Sequence, residues 1–436
     1  MFKKVLYVLF LFFCCTHTKI VLDKKPWTFM VYIAADNDLD AFLERNIKQM
    51  VRFGSTENVD IVIQVNKVEK KYRQKLSKTI YIEKGNAKIL KKTTQPNATD
   101  SGNAQTLIDF CCETIKQFPA EHYALILWDH GTGPLDPYCR TRFAVSEMFS
   151  FDDEYLSTNQ LASPFFDLKF SATSNKGVCF DDTTGNFLTE QNLAEALETI
   201  CTDALESNSF DLIGFDACLM AMVEIASNVA PYANFMVGSQ EVELGTGWDY
   251  GRVLSLFKEK IPTPKELGIH IVKTYKKTYQ FTDDYTFSCL DLQHIPLLEQ
   301  LIEQLALLLQ KGCHKSFPSI KEAIRMSRYK HFCTHFDEPD FIDLKHFIKN
   351  LHKNSSSIFF MSEKSTNEFK ETLHSLITNI TTQLRLLIIK NNAGNFFDLA
   401  CGLSIYFPEQ FVHRSYRANK FAQTTQWLSF LRSYFS

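Results

Sequence analysis

The amino-acid sequence predicts an α/β fold with a mainly parallel central sheet that is flanked by helices. Continuous apolar runs, which are typical of strands buried on both faces, occur at 30–34 and 124–128, and 59–65 is a further predicted strand. Segments with apolar residues at helical spacing alternate with these runs, as they do in βαβ units. The chain has 436 residues, of which 45% are hydrophobic, so it can bury a sizeable core.

The first half of the chain shows this alternation most clearly. The strand at 30–34 is followed by Asp36-Asn37-Asp38, residue types that cap helices, and then by a segment with helical apolar spacing. A lysine-rich stretch at 67–95 holds a short apolar run and a Lys84-Gly85-Asn86 turn, which predicts a peripheral hairpin with a charged edge. A helix at 104–118 then leads into the strand at 124–128.

The second half begins after an irregular stretch at 136–176, whose length indicates an insertion. From residue 251 helices predominate, and Thr263-Pro264-Lys265-Glu266 is a capping box. We therefore expect a core at 27–250 and a mixed α/β region at 251–436 packed on it. The other predicted elements are helices at 193–205, 219–228 and 297–309 and strands at 234–238, 286–292 and 402–407.

The N-terminal segment predicts export. Residues 1–26 begin with two lysines followed by eleven apolar residues, which suits a signal peptide and is too short for a membrane span. Cys14 and Cys15 lie at the depth of a lipoprotein anchor, so membrane attachment is expected only if one of them is acylated. The net charge of −3 gives no reason to expect nucleic acid as a partner.

Two apolar runs each lead to a reactive residue. Residues 124–128 precede His130, and residues 212–215 precede Cys218. Open α/β sheets place their sites at the carboxyl ends of strands, so this pair predicts a thiol nucleophile with its general base. The amides of Gly131 and Cys218 are candidate oxyanion donors. The alternative is a buried structural cysteine and a histidine that only caps a strand.

Six motifs extend over most of the chain around these positions. They are WTFMVYIAADNDL at 27–39, LWDHGTG at 127–133, FDDTTG at 180–185 with LT at 188–189, FDACLMAMVE at 215–224, GTGW at 245–248 and GLSIYFP at 402–408. In sequence and in order these motifs resemble the clostripain-like cysteine peptidases. The similarity implies a caspase-like α/β sandwich whose peptidase core is 27–250, with His130 as base, Cys218 as nucleophile, no required cofactor, and cleavage after Arg or Lys.

The same resemblance implies a specificity residue and a processing site. In the family the aspartate two positions before the nucleophile lies in the S1 pocket, and here it is Asp216. A buried carboxylate there pairs with a guanidinium or ammonium group; the alternative role is a cap on the following helix. Family members often cut themselves between the two catalytic residues, and Lys176 is preferred over Arg140, Arg142 and Lys169. The separation of His130 and Cys218, 88 positions, departs from the family pattern.

Metal-binding patterns are weak. The Asp36-x-Asp38-x-Asp40 spacing resembles the start of a calcium loop, but Ala41 and Ile47 replace the required glycine and glutamate, and helix capping explains the aspartates better. His331-x-Cys333-x-His335 has no fourth zinc ligand with supporting spacing. Because some members of the family depend on calcium, the resemblance implies calcium as an optional cofactor without an assigned site. The sequence predicts an exported cysteine endopeptidase; the alternatives are a catalytically silent peptide-binding relative and a lipid-anchored interaction protein.

Overall fold

The structure is a computed structural model. Residues 1–23, with Cys14 and Cys15, and residues 136–176, with Lys176, lie outside its described part, so the expectations for them stay predictions. The described residues are 24–69, 71–72, 74–95, 99–135, 177–314 and 318–436.

One large sheet organises the described residues. The strands of the described residues are β1 (Lys25–Ala35), β2 (Val59–Glu69), β3 (Gln74–Glu83), β4 (Asn86–Thr93), β5 (Ala120–Trp128), β6 (Val178–Asp181), β7 (Asn186–Leu188), β8 (Phe210–Asp216), β9 (Ala233–Gly238), β10 (Thr286–Asp291), β11 (Phe341–Asp343), β12 (Ile388–Ala393) and β13 (Ser404–Tyr406). The large sheet has nine strands in the order β4-β3-β2-β1-β5-β8-β9-β10-β12, and two small two-stranded sheets, β6-β7 and β11-β13, accompany it.

The centre of the large sheet is parallel. β1 pairs in parallel with β2 and β5, β5 with β8, and β8 with β9. The hairpin β3-β4 extends one edge antiparallel to β2, which confirms the predicted peripheral hairpin. At the other edge β10 and β12 add antiparallel strands, so the sheet continues across residue 250 into the C-terminal part of the chain.

The continuous apolar runs are explained by burial on both faces of the sheet. Along β1, Phe29, Val31 and Ile33 belong to one hydrophobic core. Met30 and Tyr32, which alternate with them, belong to the core on the opposite face. Because successive strand side chains point to opposite faces, a strand between two cores needs apolar residues at every position.

Helices supply the other side of each core. The helices of the described residues are α1 (Asp40–Phe53), α2 (Ala104–Gln117), α3 (Glu190–Asp203), α4 (Val223–Val229), α5 (Tyr250–Glu259), α6 (Pro264–Thr278), α7 (Ile295–His314), α8 (Pro318–Arg328), α9 (Leu344–Asn354), α10 (Glu363–Leu387), α11 (Lys420–Thr424) and α12 (Trp427–Phe435). One core includes apolar residues from α1, α5 and α6, and the other includes residues from α2, α3, α4 and the C-terminal helices. None of these helices has the length and apolar character that a membrane span requires.

Two predicted helix starts have different outcomes. The capping box at Thr263 is confirmed at the start of α6, where the Thr263 hydroxyl accepts a hydrogen bond from the amide of Glu266. The helix predicted at 219–228 is wrong in its first four residues, because α4 begins only at Val223. Leu219 has a φ of 61°, and its amide donates to the carbonyl of Glu241 instead of entering a helix. This loop carries the chain past Cys218.

Candidate active site

The two strands that precede His130 and Cys218 are parallel neighbours, as predicted. Trp128 at the end of β5 lies opposite Asp216 at the end of β8. His130 and Cys218 therefore each follow by two residues the ends of adjacent strands. The backbones are in close contact there, because a Cβ added to Gly131 would overlap the carbonyl oxygen of Cys218. A glycine is required at this position for the two segments to approach each other.

The ring of His130 is partly exposed and is paired with Asp38. Its Nε2 lies 2.6 Å from Asp38 Oδ1, and the ring of Phe180 packs edge-on with centroids 6.5 Å apart. Burial lowers the pKa of His130, but the hydrogen bond and charge of Asp38, helped by Asp129 and Asp182, outweigh it and raise this pKa to about 9. The site therefore favours the protonated ring.

This pairing overturns the capping role predicted for the aspartates at 36–38. The N-cap of α1 is Leu39, and no side chain caps this helix. Asp38 bonds to His130, and Asp36 accepts a hydrogen bond from Thr183 (3.1 Å). The prediction is wrong because these carboxylates are used across the sheet edge, where tertiary partners compete with the helix end.

Asn37 connects the same loop to the histidine segment. Its Nδ2 donates to Asp129 Oδ1 (2.7 Å) and to the carbonyl of Phe180 (3.2 Å). Its Oδ1 accepts the amide of Leu39 (3.0 Å), which closes a local turn. The loop after β1 is therefore fixed to both sides of the His130 segment.

Cys218 is half-buried, and its thiol contacts the backbone of Glu243. The amide of Glu243 donates to Sγ (3.3 Å), and Sγ lies 3.9 Å from the Glu243 carbonyl oxygen. These two contacts fix the position of the sulfur atom relative to the backbone of Glu243. The structure thus brings the two predicted reactive residues to one sheet edge, with His130 held by Asp38 and Cys218 by Glu243.

Asp216, two residues before Cys218, is buried. Its carboxylate accepts hydrogen bonds from the Tyr250 hydroxyl (2.8 Å) and from the amide of Trp248 (3.2 Å). Gly247 has a φ of 61° and passes so close that an added Cβ would lie 2.8 Å from Asp216 Oδ1. The alternative role as a cap on the following helix is wrong, because the N-cap of α4 is Met222.

Glu243 is a second buried carboxyl in this site, and sequence reasoning missed it. It is 5% exposed, its Oε1 accepts the amide of Ala217 (3.3 Å), and it is in hydrogen-bonding contact with Asp216. Burial raises the pKa of Asp216 to about 7. Burial and the charge of Asp216 raise the pKa of Glu243 as well. Within the described part of the chain, Oε2 of Glu243 has no hydrogen-bond donor.

The segment that resumes at residue 177 forms one wall beside His130. The amide of Gly177 donates to Thr132 Oγ1 (3.3 Å), Val178 bridges Gly131, and the amide of Phe180 donates to Asp129. The first described residues after Lys176 are therefore tied to the loop that carries His130.

The possible metal ligands considered above are engaged elsewhere. Both ring nitrogens of His335 face carbonyl oxygens, those of Pro339 and Arg328. Among the residues that the structure describes, no three acidic, histidine or cysteine side chains are grouped to hold a metal ion. The aspartates of the calcium-like spacing face separate partners: Asp36 faces Lys75, Asp38 faces His130, and Asp40 faces Lys67.

Comparisons with known proteins agree on one family. The model of the Clostripain family matches residues 31–162 and 167–434. Clostripain of Hathewaya histolytica is 22% identical over 434 residues, which cover 87% of this chain and 74% of that protein.

Two solved structures share the fold. An inactive zymogen C11 protease from Parabacteroides distasonis is 17% identical with a TM-score of 0.56, over 94% of this chain and 99% of that one. A secreted C11 cysteine protease from Bacteroides thetaiotaomicron, solved with an irreversible peptide inhibitor, is 16% identical with a TM-score of 0.59, over 93% and 98%. The caspase-like sandwich predicted for the chain is thereby confirmed.

Proposed function

Because the chain belongs to the clostripain family of cysteine peptidases, we propose that it is an endopeptidase that cleaves after Arg or Lys with Cys218 and His130. The observation that best supports the proposed preference for a basic P1 residue is the buried pair of carboxyls, Asp216 and Glu243. Two adjacent buried carboxyls oppose each other's ionisation, and one oxygen of Glu243 has no donor among the described residues. A guanidinium or ammonium group supplies both the charge and the missing donors.

The proposed chemistry uses the two reactive residues in sequence. His130, the base, holds the proton taken from the Cys218 thiol, in keeping with its raised pKa. The thiolate Sγ of Cys218 then attacks the scissile carbonyl carbon, and the imidazolium protonates the leaving amine. Water then hydrolyses the thioester, with His130 again acting as base. The amides of Gly131 and Cys218 are the proposed donors to the oxyanion, and each such donor contributes on the order of a hundredfold in rate.

A panel of peptides that differ only at the P1 residue tests this proposal. We expect cleavage after Arg and Lys, and none after citrulline, which keeps the shape of arginine without its charge. Cys218→Ala should abolish cleavage, whereas Cys112→Ala, which alters another half-buried cysteine, should leave it unchanged. Full activity of Cys218→Ala would reject the nucleophile, and equal cleavage after Arg and citrulline would reject the charged pocket.

We also propose that the enzyme matures by cutting itself after Lys176. The bonds that tie residues 177–180 to the His130 loop support this site, since they would hold the new terminus in place after cleavage. The Parabacteroides relative, described as a zymogen, adds support. Intact-mass measurement should show two chains for the wild type and one for Cys218→Ala and Lys176→Ala. An active wild-type enzyme that remains a single chain would reject self-processing.

Export and cofactor use complete the proposal. The leader at 1–26 and a relative described as secreted support export, which N-terminal sequencing of the mature protein tests. An acyl chain on Cys14 or Cys15 in mass spectra would indicate a membrane anchor. We propose that no cofactor is required, and activity that is lost in a calcium chelator and restored by calcium would contradict this.

A further inference from the structure

We propose that Asp38 is the positioning residue of the site: it holds His130 by Nε2, so that Nδ1 is the nitrogen that exchanges the proton with Cys218. This inference rests on the proposed roles of His130 and Cys218. It assigns a function to the acidic loop after β1, which sequence reasoning explained as a helix cap.

The hydrogen bond between the His130 ring and Asp38 determines which ring nitrogen is left to exchange the proton with Cys218. The distance of 2.6 Å between Nε2 and Asp38 Oδ1 is that of a strong, charge-assisted hydrogen bond. A histidine that donates one N–H to a carboxylate presents its other nitrogen as the proton acceptor. Nδ1 is also the ring nitrogen nearer to the backbone of its own residue. That backbone continues into Gly131, which lies against Cys218.

Asp38 is itself held in place, as a positioning residue must be. The neighbouring Asn37 ties the loop to Asp129 and to the carbonyl of Phe180. The side chains of His130 and Asp38 are 29% and 18% exposed, so the pair is partly shielded from solvent. An ion pair in such surroundings is screened less than one on an open surface.

Other carboxyls face His130 and contribute to its charge state. Asp129 adjoins it at the end of β5, and burial raises the pKa of that carboxyl to about 8. Asp182 approaches from the segment after β6, and burial with the charge of Asp38 raises its pKa to about 6. Asp38 makes the hydrogen bond to the ring itself, so its charge is the most direct one. The ring of Phe180 adds an apolar edge without charge.

Three variants separate this role from a structural one. Asp38→Asn should lower kcat by about a hundredfold with KM within about twofold, because it removes the charge and allows the wrong tautomer. The alkaline limb of the kcat/KM profile, which reports loss of the imidazolium proton, should move down by about one pH unit. Asp38→Glu should restore the position of the alkaline limb and part of kcat.

The control variant is Asp40→Asn, which alters the next acidic residue and leaves His130 untouched. It should match the wild type in kcat and in the pH profile. An Asp38→Asn enzyme whose kcat and alkaline limb are those of the wild type would overturn the proposal.

A second measurement does not depend on peptidase activity. In the full chain carrying Cys218→Ala and ¹⁵N-labelled histidine, NMR should report a proton on Nε2 of His130 and a pKa that falls by about one unit when Asp38→Asn is added. The signal is assigned by its loss in His130→Gln. A neutral ring protonated at Nδ1, or a pKa unmoved by Asp38→Asn, would overturn the role of Asp38 even if no peptide were ever cleaved. A confirmed pairing in a chain without activity would reject only the proposed function.

Discussion

Replacing Asp216 with asparagine should make the protein more stable and at the same time remove the proposed preference for a basic residue at P1. The carboxyl is 5% exposed, and burial raises its pKa from 3.8 to about 7. Between these two pH values the unfolded chain releases a proton that the folded chain keeps, so the folded state loses stability as the pH rises. Above about pH 7 the folded state bears the full free-energy cost of keeping the buried Asp216 carboxylate ionised.

The size of the effect follows from the same shift. A change of about three pKa units corresponds to about 4 kcal/mol. Asparagine is neutral and keeps one acceptor, but it weakens the bond from Tyr250, which costs about 1 kcal/mol. We therefore expect a net gain of about 3 kcal/mol at pH 8, which shrinks as the pH falls and becomes a loss of under about 1 kcal/mol near pH 4, where the weakened Tyr250 bond dominates. For a substrate with Arg at P1, loss of one buried partner costs about 2 to 4 kcal/mol, or about 30- to 1000-fold in kcat/KM.

Urea denaturation at pH 8 and pH 4, in a Cys218→Ala background that excludes the proposed self-cleavage, measures the stability. The peptide panel measures the specificity in the active enzyme. Glu224→Gln is the matched control: burial raises the pKa of Glu224 to about 7 as well, but it bonds to Tyr416, away from Asp216. This control should gain stability with unchanged specificity. Lower stability of Asp216→Asn at pH 8, or an intact preference for Arg, would refute the reasoning.

Two other substitutions test contacts around the site. Gly131→Ala places a methyl group against the carbonyl oxygen of Cys218, so kcat should fall by about a hundredfold while circular dichroism stays native; a fully active variant would contradict this contact. Lys75→Met removes the cation paired with the buried Asp181 and should cost about 3 to 5 kcal/mol of unfolding free energy in urea. Lys48→Met, at an exposed helix pair, should cost under about 1 kcal/mol, and equal losses for the two lysines would contradict the burial argument.

The pattern of apolar residues along the chain was enough to predict the strands that position this site. Apolar residues at every position of 30–34 and 124–128 predict strands buried on both faces, and the parallel pairing of β1 with β5 confirms this. Parallel strands end at the same edge, so His130 and Cys218 could be placed together from the sequence. The prediction failed at 219–222, where apolar composition suggested helix but the amides of Leu219 and Ala221 bond to carbonyls of the loop that follows β9.

The groups that surround the reactive residues could not be predicted in the same way. Asp38 lies 92 positions before His130, and its neighbours match a helix cap well enough to hide its actual partner. Glu243 lies 25 positions after Cys218, in a run that also contains Glu241, and no periodicity distinguishes the two. Glu241 bonds to the amide of Asp337, whereas Glu243 faces Asp216.

The sequence by itself determined the α/β class, the order of the strands along the chain, the family and the two reactive residue types. These depend on side-chain periodicity and on short motifs, which are local properties of the chain. Only the tertiary structure decided that Asp38 pairs with His130 and that Glu243 joins Asp216. Such pairings, and the pKa shifts that follow from them, depend on the path of the backbone between distant segments and on what it excludes from water.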